Sequence, residues 1–116
     1  MTDPNLFLDH ILQSIQLIED YTNDITKEDF LTSDFIQDAV IRRIKIIGEA
    51  VKNLPQDFKD KYPEIPWAII ANAGNTLESE EYDLEPVWET VKTEVPALKK
   101  ETLKIKDFGA PKIYDF

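Results

Sequence analysis

The stretch that follows Ser33 constrains the fold more than any other part of the sequence. Apolar residues recur there every three or four positions, which is the spacing of one face of an α-helix. They are Phe35, Ile36, Ala39, Val40, Ile44, Ile47 and Val51. Ser33 is a good N-cap and Pro55 marks the end, so the sequence predicts a helix from Asp34 to about Leu54. Gly48 lies inside this helix and costs about 1 kcal/mol relative to alanine, so its presence predicts close approach by another helix.

Three further segments have helical periodicity. The first runs from Asp3, a predicted cap, to Tyr21, the second from Trp67 to about Leu77, and the third from about Leu84 to Ile105. Pro96 is expected to kink or split the last of these. The predicted apolar face of that helix consists of Val87, Trp88, Val91, Val95, Leu98 and Leu103.

No stretch alternates between apolar and polar residues as a half-buried strand does. Short helical turns are predicted after Thr26 and after Pro55. The sequence therefore predicts an all-α fold, an antiparallel bundle of four to five helices spanning residues 1–105. Residues 106–116 have no periodicity and are predicted to form a C-terminal tail.

Charge and composition narrow the classes of function. The 116 residues include 23 acidic and 13 basic side chains, for a formal net charge of −10, so the chain as a whole repels nucleic-acid phosphates at long range. It has no cysteine, which excludes disulfides and thiolate metal sites. No apolar run is long enough to span a membrane, and no signal peptide is recognised, so a cytoplasmic location is expected.

Three stretches together resemble the HepT-like branch of the HEPN family. The first is DAVIRRIKIIGEAVK at residues 38–52, the second begins with Pro-Trp and spans residues 66–77, and the third begins with DLEPVW and spans residues 83–98. Their order and spacing match the family over residues 6–103. The first stretch is the most specific of the three.

The resemblance implies a HEPN-like helical bundle that forms homodimers. It further implies a ribonuclease toxin whose partner is a minimal nucleotidyltransferase antitoxin. The family's motif, R-x(4–6)-H-x-Y, faces the dimer partner and cleaves RNA without a metal, so neither a metal nor a cofactor is expected. The antitoxin can silence the toxin by transferring AMP to the tyrosine of the motif.

This sequence departs from the family at that motif. Counting from the Pro-Trp pair, the arginine falls at Gly74, followed by Asn75, and the histidine falls at Ser79. The tyrosine falls at Glu81, with Tyr82 one place later as the candidate AMP acceptor. Glycine and serine cannot stabilise the phosphorane charge or move protons as arginine and histidine do. The sequence therefore predicts a member that does not cleave RNA, and the change fits either natural decay or deliberate inactivation.

Two other groups are candidates for a function. Arg42, Arg43 and Lys45 form a basic cluster, which is interpreted either as phosphate contacts lining an RNA cleft or as ion-pair partners of acidic side chains such as Glu49. RNA is expected as a ligand only if that cleft is functional. His10 is the only histidine, and a structural, hydrogen-bonded role is predicted for it.

Three functions stay open on the sequence alone. The first is a catalytically inactive HepT-like homologue that still binds partners. The second is a non-enzymatic helical module for dimerisation or partner binding, with no link to RNA. The third is an active ribonuclease that uses other residues.

Overall fold

The computed structural model describes residues 3–76 and 83–109, and these residues form an all-α bundle, as predicted. Its helices are α1 (Pro4–Thr22), α2 (Lys27–Thr32), α3 (Asp34–Asn53), α4 (Gln56–Asp60), α5 (Trp67–Thr76), α6 (Leu84–Glu89) and α7 (Val95–Gly109), with a π-helical turn at Thr90–Glu94. Helix α3 is central, because α1 and α5 both pack against it. Among the described residues, none of the helices is long and apolar enough to cross a bilayer.

Local capping explains where the first three helices begin. The side chain of Asp3 accepts a hydrogen bond from the backbone N–H of Asn5 at 3.0 Å, and that of Ser33 accepts one from Ile36 at 3.2 Å. At the start of α2, Thr26 and Asp29 form a reciprocal pair of hydrogen bonds between side chain and backbone. These contacts satisfy amides that have no partner within their helices, which is why caps predict helix starts so well.

The predicted apolar faces of α3 and α7 are largely confirmed, with one exception on each helix. Val40, Ile44, Ile47 and Val51 are buried on α3, but Phe35 is 81% exposed and was wrongly assigned to the same face. Leu103 is 44% exposed, and Thr102 and Ile105 are buried in its place on α7. Both errors come from assigning a residue to the buried face because it is apolar. Each residue turns an α-helix by about 100°, so a residue one or two positions away can be the one that is buried.

Pro96 is accommodated without breaking the last long helix. Residues 84–109 stay helical throughout, and the backbone N–H of Val95 donates to the carbonyl of Thr90, five residues back. A proline has no N–H and its ring crowds the carbonyl of the preceding turn, so a wider π-helical turn relieves the clash. Helix α7 continues to Gly109, four residues past the predicted boundary at residue 105, and residues 110–116 lie outside the described part of the chain.

Ion pairs tie the first and last helices together. Lys99 Nζ on α7 lies 2.8 Å from Glu19 Oε1 on α1, and Lys106 pairs with Asp9 near the opposite end of the same contact. Both pairs are partly exposed, so each contributes about 0–1 kcal/mol to stability. Burial of aromatic and aliphatic side chains contributes more, and Trp88 packs on Phe30 with ring centroids 5.4 Å apart.

We expect Ser33→Ala to lower the free energy of unfolding by about 1 kcal/mol, because the amide of Ile36 would lose its acceptor. Urea denaturation followed by circular dichroism measures this change. Ser33→Asp is the matched control and should retain most of the stability, since its carboxylate can accept the same bond. An equal loss in both variants would contradict the capping role.

Candidate functional site

The crossing of α3 and α5 is built on two glycines. A Cβ atom placed on Gly48 would lie 3.2 Å from the Cα of Gly74, and one placed on Gly74 would lie 3.3 Å from the Cα of Gly48. Both distances are shorter than an ordinary van der Waals contact, and the opposing atoms belong to backbone. The predicted close approach at Gly48 is thereby confirmed, and Gly74 is its partner.

The contact with Gly48 determines whether position 74 can hold a side chain and where that side chain would point. Gly74 is buried, and a Cβ there would also lie 3.7 Å from the carbonyl oxygen of Ile44 and the Cα of Lys45. A side chain at position 74 would therefore point into α3 and not into an open groove. Helix α5 continues past the glycine to Thr76, so Gly74 serves close packing and does not end the helix.

The remaining motif positions follow directly in the chain. Asn75 lies in the last turn of α5. Ser79, Glu81 and Tyr82 lie outside the described residues, so their predicted roles stay predictions. The whole chain contains one histidine, His10, so no imidazole stands anywhere in the motif segment.

An open acidic groove lies at the start of α6. It has a volume of about 1000 Å³, and its lining includes four acidic residues, Asp83, Glu85, Glu89 and Glu94. Lys27 Nζ on α2 lies 3.5 Å from Glu85 Oε1 and offsets one of these negative charges. A phosphate backbone approaching this groove would meet like charge, which disfavours RNA here.

The predicted basic cluster on α3 does not converge on one point. Arg42 is exposed, and Lys45 is half-buried next to the backbone of Gly74. Arg43 lies about 200° around the helix from Lys45, since each residue turns an α-helix by about 100°. Its Nε atom is buried and finds no hydrogen-bond acceptor within residues 3–76 and 83–109. Arg42 and Lys45 can therefore act together, whereas Arg43 faces elsewhere.

A structural, hydrogen-bonded role was predicted for His10, but it makes no hydrogen bond within residues 3–76 and 83–109. It is exposed on α1, and its ring meets the edge of Phe7 with centroids 6.5 Å apart. The principal contacts of α1 are with α3 and α7. The structure thus gives His10 no place beside the motif positions of α5.

Sequence reasoning missed a second basic surface, which we call the lysine groove. It has a volume of about 420 Å³ and lies between the end of α3, α4 and the first turn of α5. Its lining includes Lys52, Gln56, Lys59, Pro66, Ala68 and Ile69. Local charge gives little sign of this groove, because the net charge of +3 over residues 42–61 comes from Arg42, Arg43 and Lys45, while residues 46–61 hold three basic and three acidic side chains.

Comparison with known proteins shows which family the chain resembles. The ribonuclease HepT-like family model matches residues 11–105. The chain is 43% identical over 102 residues to a "probable ribonuclease HepT" of Thermococcus cleftensis, covering 86% of this chain and 93% of that protein. It is 36% identical over 107 residues to an inferred RNase of Caldanaerobacter subterraneus, covering 90% and 96%. No solved structure gives a significant match.

A longer relative shares more identity. It is a protein of Methanocaldococcus jannaschii named as a gamma-glutamylcyclotransferase and inferred RNase, and it is 53% identical over 107 residues. The match covers 90% of this chain but 48% of that protein, so the chain spans about half the length of this relative. The sequence similarity therefore concerns only one part of that longer protein.

We expect Gly74→Arg to destabilise the fold by more than about 3 kcal/mol, because the side chain would force α5 away from α3 at a backbone contact. Thermal and urea unfolding measure the loss. Gly74→Ala should cost less, about 1 kcal/mol, since the helix propensity of alanine offsets part of the overpacking.

Ala68→Arg is the matched control, because Ala68 is exposed on the same helix. It should change stability by less than about 0.5 kcal/mol. A Gly74→Arg variant as stable as Ala68→Arg would mean that position 74 has room for a side chain, contrary to the crossing described above.

Proposed function

The chain belongs to the ribonuclease HepT-like family, a branch of the HEPN proteins, and from this premise we propose that it is a member that binds partners but does not cleave RNA. One observation carries this proposal. Position 74, to which counting from the Pro-Trp pair assigns the family's arginine, is a glycine buried against Gly48, so a guanidinium there would have to separate α3 from α5.

The chemistry of RNA cleavage adds support. Cleavage without a metal requires a proton-transfer group near the ribose 2′-OH and a cation beside the developing phosphorane charge. The chain's one histidine is on α1, and residues 78–81 supply three carboxylates where an imidazole would be needed. Loss of one such electrostatic donor costs about 3–4 kcal/mol of transition-state stabilisation. Loss of both groups leaves little of the family's catalytic power.

Partner binding is the function that the remaining surface supports. Phe35 is 81% exposed on α3, and a partner that covered it would bury its aromatic side chain and so favour association. We propose a homodimer that forms through this face, with a minimal nucleotidyltransferase antitoxin as a further partner. Tyr82 is the proposed acceptor if that partner transfers AMP.

We expect the purified chain to leave total RNA intact, because neither motif position supplies a catalytic group. The assay is incubation with total RNA, with metal and with chelator, across the fractions of a gel-filtration peak. Cleavage that follows the protein peak in the presence of chelator would refute the proposal. Cleavage in neighbouring fractions alone would identify a contaminating nuclease.

We expect Phe35→Ser to weaken self-association while leaving the fold intact, since the side chain is mostly exposed and makes little contribution to the core. Sedimentation equilibrium of the wild-type and variant chains gives the dimer dissociation constant, and thermal unfolding checks the fold. Leu103→Ser is the matched control, because Leu103 is exposed on α7. Equal dissociation constants for all three chains would exclude the Phe35 face as the interface.

A further inference from the structure

We propose that two copies of this chain pair along α3 in antiparallel register, so that Asp38 of each copy faces the partner's Arg42. The inference rests on the proposed homodimer and adds to it the residues that meet across its two-fold axis. It begins with one outward face of α3. On that face Phe35 is 81% exposed, Asp38 and Arg42 are exposed, and Ile46 is half-buried.

These four side chains follow one line along the helix. Each residue turns an α-helix by about 100°, so Arg42 and Ile46 each lie about 20° from the direction of Phe35, one on either side. Asp38 lies about 60° from Phe35, on the same side as Arg42. The line therefore has an apolar side chain at each end and two opposite charges between them, over roughly 16 Å of helix.

The two charged side chains are available to a partner. Neither Asp38 nor Arg42 makes a hydrogen bond or an ion pair within residues 3–76 and 83–109, although they lie four positions apart on the same helix. Each can therefore pair across an interface without first losing a contact within that part of the chain. Such pairs fix the register of an interface because a wrong register brings like charges together.

A second copy supplies the complementary surface. In a two-fold interface both copies use the same patch, which must then be complementary to itself. With the axis beside about residue 40, Phe35 meets the partner's Ile46, and Asp38 meets the partner's Arg42. The axis keeps each side chain on its own side of the interface, so the two charges, which share one side of α3, come together.

Other registers lose one of these matches. An axis beside residue 42 would bring Arg42 against its own copy, and like charges repel. An axis between residues 45 and 46 would pair Arg42 with the partner's Glu49, but Phe35 would then lie past Asn53, where the partner's α3 ends. A partner helix of uniform charge would repel one of the two charged side chains. A second copy is therefore the occupant that this face fits.

The test uses two charge reversals, Asp38→Arg and Arg42→Asp. Either variant alone would place like charges opposite each other on both sides of the axis, so we expect its dimer dissociation constant to rise at least about tenfold at low salt. An equimolar mixture of the two variants restores opposite charges across the axis, and its heterodimer should dissociate within about threefold of the wild-type value. Sedimentation with a fluorescein label on one variant measures each constant.

The mixture separates contact between copies from effects within one helix. In each variant chain, positions 38 and 42 still carry like charges, so recovery in the mixture has to come from the partner. Asp57→Arg and Lys61→Asp are the matched controls, because they change charge in the same way at two exposed positions, four residues apart, beside α4. Alone or mixed, they should change the constant less than twofold.

The outcomes distinguish this register from the proposed homodimer. A wild-type chain that stays monomeric overturns both. A dimer that Phe35→Ser weakens, but that the mixture of Asp38→Arg and Arg42→Asp does not restore, overturns the register and leaves the Phe35 face as the interface. Equal losses in the control variants would overturn it as well, since net charge would then explain the effect. Thermal unfolding confirms that every variant is folded.

Discussion

The contact between Gly48 and Gly74 is the constraint on which the rest of the structure depends. It brings the backbones of α3 and α5 together with no side chain between them, and any Cβ atom at either position would meet the opposing backbone within about 3.3 Å. Because α5 is held there, its first turn lies against the end of α3 and creates the lysine groove, while its last turn lies beside Ile44 and Lys45. One packing contact therefore fixes the surroundings of the lysine groove and of the predicted motif position at the end of α5.

Charge is distributed unevenly over the surface. Four acidic residues, Asp83, Glu85, Glu89 and Glu94, line the groove at the start of α6, whereas the opposite end of α5 lies beside Lys52 and Lys59. The net charge of −10 is a sum over the whole chain and describes neither region.

Structural features that depend on neighbouring residues could be predicted from the sequence. Features that depend on contacts between residues far apart in the chain could not. The caps at Asp3 and Ser33 act within one helical turn, so their hydrogen bonds follow from local sequence. The energetic cost of a glycine inside a helix predicted that another helix approaches Gly48. The sequence did not predict which residue that helix presents, because the partner lies 26 positions later in the chain. The exposure of Phe35 was missed for the same reason, because which face of α3 is covered depends on where α1 and α5 pack.

Family membership and the proposed lack of cleavage rest on different residues of this protein. The family match over residues 11–105 includes the buried positions of α3, α5 and α7. These positions stabilise the fold regardless of which residues occupy the motif. Cleavage needs an imidazole and a guanidinium placed with precision, whereas the buried positions need only apolar side chains that fit together. A chain with other residues at the motif positions can therefore keep the helical core of the family.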